Sequence, residues 1–205
     1  IEVPCLRLMY FSVLISSRRG RRSGLSSCLI FSSVRCSLMS SSTGWCSGDF
    51  GAACARAYAE AGASVVACDM EPGHLRILES RAPEALRARL RCVTGPLPEV
   101  QFEPGEFGTI LCSRVLHFLN GEQIDASLAA MARWLAPGGH LYLVADTPYG
   151  IWRNFIPEFE RGKREGLRWP GMMTGVQRYL PTPRLKRYID RPAFMNLLDP
   201  QLLTR

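Results

Sequence analysis

The sequence lacks the features of a membrane-spanning, secreted or zinc-binding protein. Its longest apolar stretch, around Met9 to Ile15, is much shorter than the roughly 20 residues that cross a bilayer. No small-residue cleavage site of a signal peptide follows it. The eight cysteines include no Cys-x-x-Cys pair, and none of the three histidines stands at a zinc-ligand spacing. We therefore predict a cytoplasmic protein with no metal site and no membrane association.

Acidic residues are scarce at both ends of the chain. Residues 1–48 carry six Arg and one acid, residues 49–150 carry eight basic and twelve acidic residues, and residues 151–205 carry eleven basic and five acidic residues. Basic flanks can indicate nucleic acid or an anionic substrate. No run of Lys and Arg interleaved with aromatic residues accompanies them, so we predict solvated basic surfaces and no nucleic-acid partner.

Residues 1–48 are rich in Ser, Arg, Cys and Leu, and no helical or strand period persists in them beyond a few residues. Three interpretations stay open: a disordered basic arm, an irregular N-terminal cap, or a segment that is not part of the fold. We favour the third. The predicted organisation is an irregular segment at 1–48, a core at 49–146 and an appendage at 147–205.

From Gly51 onward, strand and helix patterns alternate. Short apolar runs predict strands at 64–68, 91–94, 109–112 and 140–145. Helical patterns cover 52–61, 73–90 with a break at Pro83, and 122–135, where Ile124, Leu128, Met131 and Leu135 form one apolar face. This order predicts an α/β fold with a doubly wound, mostly parallel sheet, in which ligands bind beyond the carboxyl ends of the strands.

Three segments carry a family resemblance. An apolar strand closes on Asp69, 18 residues beyond Gly51. Leu116-His117-Phe118 follows the predicted strand at 109–112, and Leu135-Ala136-Pro137-Gly138-Gly139 precedes the predicted strand at 140–145. Together they resemble the class I S-adenosylmethionine-dependent methyltransferases, over residues 49 to about 146. The resemblance implies a Rossmann-like fold, S-adenosylmethionine (SAM) as the cofactor, and transfer of its methyl group to an acceptor.

The resemblance assigns two adjacent residues to the adenosine part of the cofactor. Asp69 would accept hydrogen bonds from both ribose hydroxyls, and Met70 would lie against the adenine. Each residue also has an ordinary structural interpretation. Asp69 could cap the helix that starts near Pro72, and Met70 could be a core methionine.

The remaining cofactor positions implied by the resemblance are mostly backbone positions. Gly51 would let the chain approach the methionine part of SAM at a helix N-terminus. The backbone of Gly95 and Pro96 would line the site after the predicted strand at 91–94. The segment that begins with Cys112 and Ser113 would face the methionine moiety.

The chain departs from the family pattern before Gly51. Trp45, Ser47 and Asp49 stand where an acid and two glycines are expected, and Gly48 is one position out of register. The glycine-rich motif is therefore degraded. Relatives also begin with a first strand before this motif and continue through one more helix and an antiparallel hairpin, so the chain resembles a family member truncated at both ends.

No residue can be assigned as a general base; Asp146, Tyr149 and His117 are the only candidates that would face the pocket. A lone histidine is usually structural, so His117 has the alternative of packing against its loop. Residues 149–180 are rich in aromatic residues and arginine, which favours a lid over a small, planar or anionic acceptor. The alternative is that these aromatic residues form the core of the appendage. A non-catalytic or incomplete methyltransferase-like domain is the second functional hypothesis. A nicotinamide-dependent oxidoreductase is less favoured, because Gly-x-Gly-x-x-Gly and Tyr-x-x-x-Lys are absent.

Overall fold

The computed structural model describes residues 12–15, 26–31, 63–181 and 193–203, and a six-stranded sheet runs through them. The strands of this sheet are β1 (Ser12–Ile15), β2 (Ser26–Phe31), β3 (Val65–Asp69), β4 (Leu90–Thr94), β5 (Phe107–Ser113) and β6 (Leu135–Val144). The helices are α1 (Pro72–Arg81), α2 (Glu84–Arg87), α3 (Gly121–Trp134), α4 (Ile156–Arg164) and α5 (Pro200–Leu203). A second, two-stranded sheet pairs β7 (Met172–Thr174) with β8 (Phe194–Asn196).

The strand order of the large sheet is β1-β6-β5-β2-β3-β4, with β2 to β6 parallel and β1 antiparallel to β6. The chain leaves β2 towards β3 and β4 on one side, then crosses to β5 and β6 on the other. This reversal is the switch point of a doubly wound sheet. The predicted α/β class and mostly parallel sheet are confirmed.

Two strands lie inside the segment for which no regular structure was predicted. β1 pairs with β6, and β2 occupies the centre of the sheet between β3 and β5. The prediction that residues 1–48 are irregular and outside the fold is wrong for these two strands. Both are short apolar runs, Ser-Val-Leu-Ile and Cys-Leu-Ile-Phe, of the kind that a covered strand requires. The sequence analysis missed these runs because the Ser- and Arg-rich composition around them indicated an irregular segment.

The helix and strand boundaries follow local sequence signals. α1 ends at Arg81, and Pro83 separates it from α2, as the predicted break requires. α3 begins with a capping box in which the side chains of Asn120 and Gln123 each accept the other residue's backbone N–H. Ile124 and Met131 on α3 are buried as predicted.

The Pro-Gly-Gly turn is a loop inside the sixth strand. Leu135 pairs with Phe107 and His140 pairs with Thr109, so residues 136–139 bulge out between two paired positions. A Cβ at Gly139 would lie 2.9 Å from the carbonyl oxygen of Ala136 and 3.1 Å from that of Gly108. Glycine is therefore required by the close approach of two backbone segments.

One hydrophobic cluster joins the sheet to the region beyond β6. Phe107, Ile110 and Trp134 belong to it, and so do Phe159 and Leu197 of the later segment. The appendage thus packs on the same core, and the division of the chain at residue 146 stays a prediction. No helix among the described residues has the length and apolarity that crossing a membrane requires.

Candidate functional site

The carboxyl ends of the parallel strands lie at one edge of the sheet. Asp69 pairs with Thr94 at the ends of β3 and β4, and Phe31 pairs with Ser113 at the ends of β2 and β5. This edge at the switch point is where doubly wound folds bind their ligands. Of the predicted cofactor residues, Gly51 lies outside the described residues, and the other six follow or end β3, β4 and β5.

The Asp69 carboxylate is buried and held in place from two sides. The residue is 2% exposed. Oδ1 accepts the backbone N–H of Glu71 at 2.9 Å, and Oδ2 lies 3.2 Å from Nδ1 of His74. The helix-capping alternative is wrong, because the N-cap of α1 is Glu71, whose Oε1 accepts the N–H of Gly73 at 2.9 Å. Contact with ribose stays a prediction for Asp69.

Met70 is the most exposed large apolar side chain of the described region, at 66% exposure. The core-methionine alternative is therefore wrong. The side chain follows directly on the buried Asp69, where a flat apolar ring would remove it from water. A buried acid beside an exposed apolar side chain fits the ribose and the base of a nucleoside.

The loop after β4 is fixed by its own backbone bonds. The N–H of Gly95 donates to the carbonyl of Asp69 at 3.1 Å, and the carbonyl of Pro96 accepts the N–H of Val100 at 2.9 Å. A Cβ at Gly95 would lie 3.2 Å from Cβ of Val100, so a larger residue would push this loop away from β3. Gly95 and Pro96 therefore lie beside Asp69, while their contact with a cofactor stays a prediction.

Cys112 and Ser113 end β5 and are both buried. Burial raises the pKa of the Cys112 thiol to about 12, so this side chain is a neutral apolar group. Arg114 follows with φ at 60°, the left-handed conformation that non-glycine residues rarely adopt. Its guanidinium lies 3.6 Å from the Asp146 carboxylate. Sequence reasoning missed Arg114, because nothing in its residue type indicates a left-handed backbone.

Asp146 connects three segments beyond the strand ends. Its backbone N–H donates to Nδ1 of His117 at 3.2 Å, and its carboxylate accepts Nε1–H of Trp152 at 3.2 Å. Burial raises the pKa of this carboxyl, but the neighbouring His117 and Arg114 and the Trp152 hydrogen bond together hold it below its usual value. Asp146 is therefore ionised and already bonded.

None of the three general-base candidates has the geometry of a free base. His117 is 0% exposed, its Nδ1 lone pair is occupied, and burial lowers its pKa to about 4. The Tyr149 hydroxyl donates to Glu160, and burial and that bond raise its pKa. The expectation that His117 faces a pocket is wrong. The role of Asp146 and His117 in the described structure is to hold the loops after β5 and β6 together.

We expect the free energy of unfolding to rise with pH between about 4 and 6.5 because of His117. The unfolded chain binds a proton on this imidazole below about 6.5, whereas the folded chain binds it only below about 4. Falling pH therefore stabilises the unfolded state relative to the folded state, by up to about 3 kcal/mol over this window.

Urea unfolding at half-unit pH steps measures the slope of the free energy of unfolding against pH. His117→Asn, which keeps an acceptor for the Asp146 N–H, should flatten it, and His140→Asn controls for the loss of an imidazole. An equal slope in His117→Asn and the wild type would contradict this assignment.

The aromatic residues of the appendage are mainly its core. Trp152, Phe155 and Phe159 are 2%, 4% and 0% exposed, whereas Tyr149 is 48% exposed. The three buried rings form part of the core of the appendage, as the alternative interpretation stated. Of these four aromatic residues, only Tyr149 is exposed enough to contact an acceptor. Among the described residues, no group of three or more His, Cys, Asp or Glu side chains has the arrangement of a metal site.

The strand order and the switch point define a Rossmann-like α/β protein. Residues 43–139 match the family model described as a methyltransferase domain. Over these residues, a little under half of the chain, the sequence is similar to the SAM-dependent methyltransferases, a family whose cofactor is SAM.

Individual proteins resemble parts of the chain. An uncharacterised protein of Synechococcus sp. is 36% identical over 137 residues, covering 61% of this chain and 31% of the relative. The chain thus spans about a third of the length of that curated relative. The PH0226 protein of Pyrococcus horikoshii has a similar fold, with a TM-score of 0.51, 12% identity, and coverage of 88% of this chain and 70% of that protein. A SAM-dependent methyltransferase of Mesorhizobium loti matches with a TM-score of 0.46 and 21% identity over 63% of this chain and 48% of that one.

Proposed function

We propose that this protein binds SAM at the carboxyl edge of the sheet and transfers its methyl group to a small-molecule acceptor. The observation that carries the proposal is the pair Asp69 and Met70. A buried carboxylate stands beside an exposed apolar side chain at the end of the strand next to the switch point. These two residues lie inside the region that matches the methyltransferase family.

The described residues fit the adenosine half of the cofactor. Asp69 would accept the ribose hydroxyls, Met70 would pack on the adenine, and the backbone of Gly95 and Pro96 would form the neighbouring wall. A carboxylate can accept about four hydrogen bonds, so bonds within the protein and bonds to a ribose can share it. Ser113 and the segment after it would face the methionine half.

The chemistry that this site supports is methyl transfer by positioning. SAM, when bound, supplies an electrophilic methyl group on its sulfonium. The protein then has to hold the acceptor in line with the methyl group and keep water out. Asp146, His117 and Tyr149 are engaged in internal bonds. An acceptor that needs no strong base at the moment of transfer, such as an amine that reacts in its neutral form, therefore suits this site.

A small acceptor is favoured because the appendage bonds to the loops after β5 and β6, at the carboxyl edge of the sheet. The N–H of Leu198 donates to the Asp146 carbonyl at 3.0 Å, and Nδ2 of Asn196 donates to the Leu119 carbonyl at 3.3 Å. Trp152 adds its bond to Asp146. Later chain therefore contacts the loops after β5 and β6, and these contacts are what favours a small acceptor in this proposal.

Titration with S-adenosylhomocysteine (SAH), the demethylated product of SAM, tests the proposal on the full 205-residue chain. At a SAH concentration 100 times its dissociation constant, binding to the folded state stabilises it by about 2.7 kcal/mol. The melting temperature should therefore rise by about 5 to 10 °C for a chain of this size. NAD at the same concentration is the matched control, and we expect no shift with it. A shift with NAD alone would support the oxidoreductase hypothesis, and no shift with either ligand would support a domain that does not bind its cofactor.

A further inference from the structure

We propose that His74 is a positioning residue for the cofactor site, which holds the Asp69 carboxylate in the orientation that accepts the ribose hydroxyls. This inference rests on the proposed function above. The observation behind it is the 3.2 Å contact between Nδ1 of His74 and Oδ2 of Asp69. The family resemblance did not assign this residue.

The local sequence fixes where His74 stands. β3 ends at Asp69, Glu71 caps α1, and Pro72 occupies the first turn of α1. The N–H of His74 donates to the Glu71 carbonyl at 3.1 Å, which places His74 in the first turn of the helix. From there its ring reaches back over the turn to the strand end. Five residues separate the two side chains in sequence, and the strand-to-helix turn brings them together.

The two sides of Asp69 are held by different kinds of donor. Oδ1 accepts a backbone N–H, from Glu71, which substitution of side chains leaves in place. Oδ2 faces the imidazole, and this is the contact that a side-chain change can remove. The Asp69 side chain is 1% exposed and that of His74 is 27% exposed, so a buried carboxylate contacts a partly exposed imidazole.

Fixing the carboxylate before the cofactor arrives changes the binding equilibrium. A side chain that is already in its bound rotamer loses no conformational freedom on binding, so more of the hydrogen-bond energy appears as affinity. Removal of the imidazole takes away one of the contacts that fix the orientation of this carboxylate. We therefore expect cofactor affinity to fall on removal of the imidazole, although His74 itself needs no contact with SAM.

The experiment compares two substitutions by calorimetric titration with SAH on the full chain. His74→Leu removes the donor, and we expect its SAH dissociation constant to be about five- to tenfold higher, which is within the cost of ordering one side chain on binding. His74→Asn places an amide Nδ2 donor where Nδ1 stands, and we expect affinity within about twofold of the wild type. The melting temperature without ligand is measured for each, to separate an effect on binding from an effect on folding.

A double-mutant cycle distinguishes positioning from a general structural role. In an Asp69→Asn background, His74→Leu should cause no further loss of affinity, because the two residues act through one contact. Equal affinity of His74→Leu and the wild type would overturn the inference and leave the proposed function standing. An additive loss in the cycle, or failure of His74→Asn to restore binding, would also overturn it. No SAH binding by the wild type would overturn the proposed function itself.

Discussion

Asp69→Asn is expected to weaken SAH binding by at least about 100-fold. Each hydrogen bond from a ribose hydroxyl to an ionised carboxylate is worth about 1.5 to 3 kcal/mol. The amide removes the charge and replaces one acceptor oxygen with a donor, so both ribose bonds are weakened or lost. A loss of about 3 kcal/mol corresponds to a factor above 100 in the dissociation constant. Calorimetric titration of the full chain with SAH measures it.

The asparagine is chosen because it preserves the internal structure around position 69. Its side-chain oxygen can still accept the N–H of Glu71, so the turn between β3 and α1 keeps one of its bonds. Glu84→Gln is the matched control, since it removes one negative charge from an exposed side chain of α2, beyond the far end of α1. Binding by Asp69→Asn within threefold of the wild type would show that the carboxylate does not hold the ribose.

Gly171→Ala is expected to lower the free energy of unfolding by about 3 kcal/mol. A Cβ at this position would overlap the carbonyl oxygen of Leu197 and lie 2.7 Å from its carbonyl carbon and amide nitrogen. The obstacle is backbone, which cannot rotate away as a side chain can. The strands β7 and β8 would have to separate, which breaks the bond from the Leu197 N–H to the Gly171 carbonyl, now 2.8 Å long. Urea unfolding monitored by tryptophan fluorescence measures the change.

Gly150→Ala is the matched control for this prediction. The nearest atom to a Cβ there is the Thr147 carbonyl oxygen, at 4.0 Å, and the position is a turn at the surface. We expect its effect on stability to stay within about 0.5 kcal/mol. Equal stability of Gly171→Ala and Gly150→Ala would contradict the close approach of the backbone at Gly171 to the backbone of Leu197.

The core of the fold could be predicted because its signals are local. The apolar run of β3, the capping box of α3 and the proline after α1 each identify their element within a few residues. β1 and β2 could not be predicted in the same way. These strands have four and six residues and are surrounded by Ser and Arg, so they are too short to show a periodic pattern. Their strand structure depends on pairing with distant parts of the chain: β1 pairs with β6, and β2 pairs with β3 and β5.

Some residues of the candidate site could likewise be predicted from local sequence, and others could not. The acid that closes β3 can be found from the spacing of elements in the chain, and so can the exposed residue after it. The bonds of His117 and Asp146 could not be found, because they connect positions 29 residues apart whose meeting depends on how β5 and β6 lie together. Burial is likewise a tertiary property. The sequence therefore could not separate a pocket wall from a core for the aromatic residues of the appendage, of which Trp152, Phe155 and Phe159 are buried and Tyr149 is exposed.

The position of β1 also bears on the order in which the protein is built. Ser12 pairs with Val144, so this edge of the sheet joins residues 132 positions apart. Closing so long a loop costs conformational entropy before the strand pairing can stabilise the fold. Contacts between residues this far apart in sequence form late and slow folding. During synthesis, β1 leaves the ribosome well before its partner strand exists. The apolar segment of β1 therefore stays unpaired until β6 has been synthesised. During this interval the unpaired segment is most prone to associate with other chains.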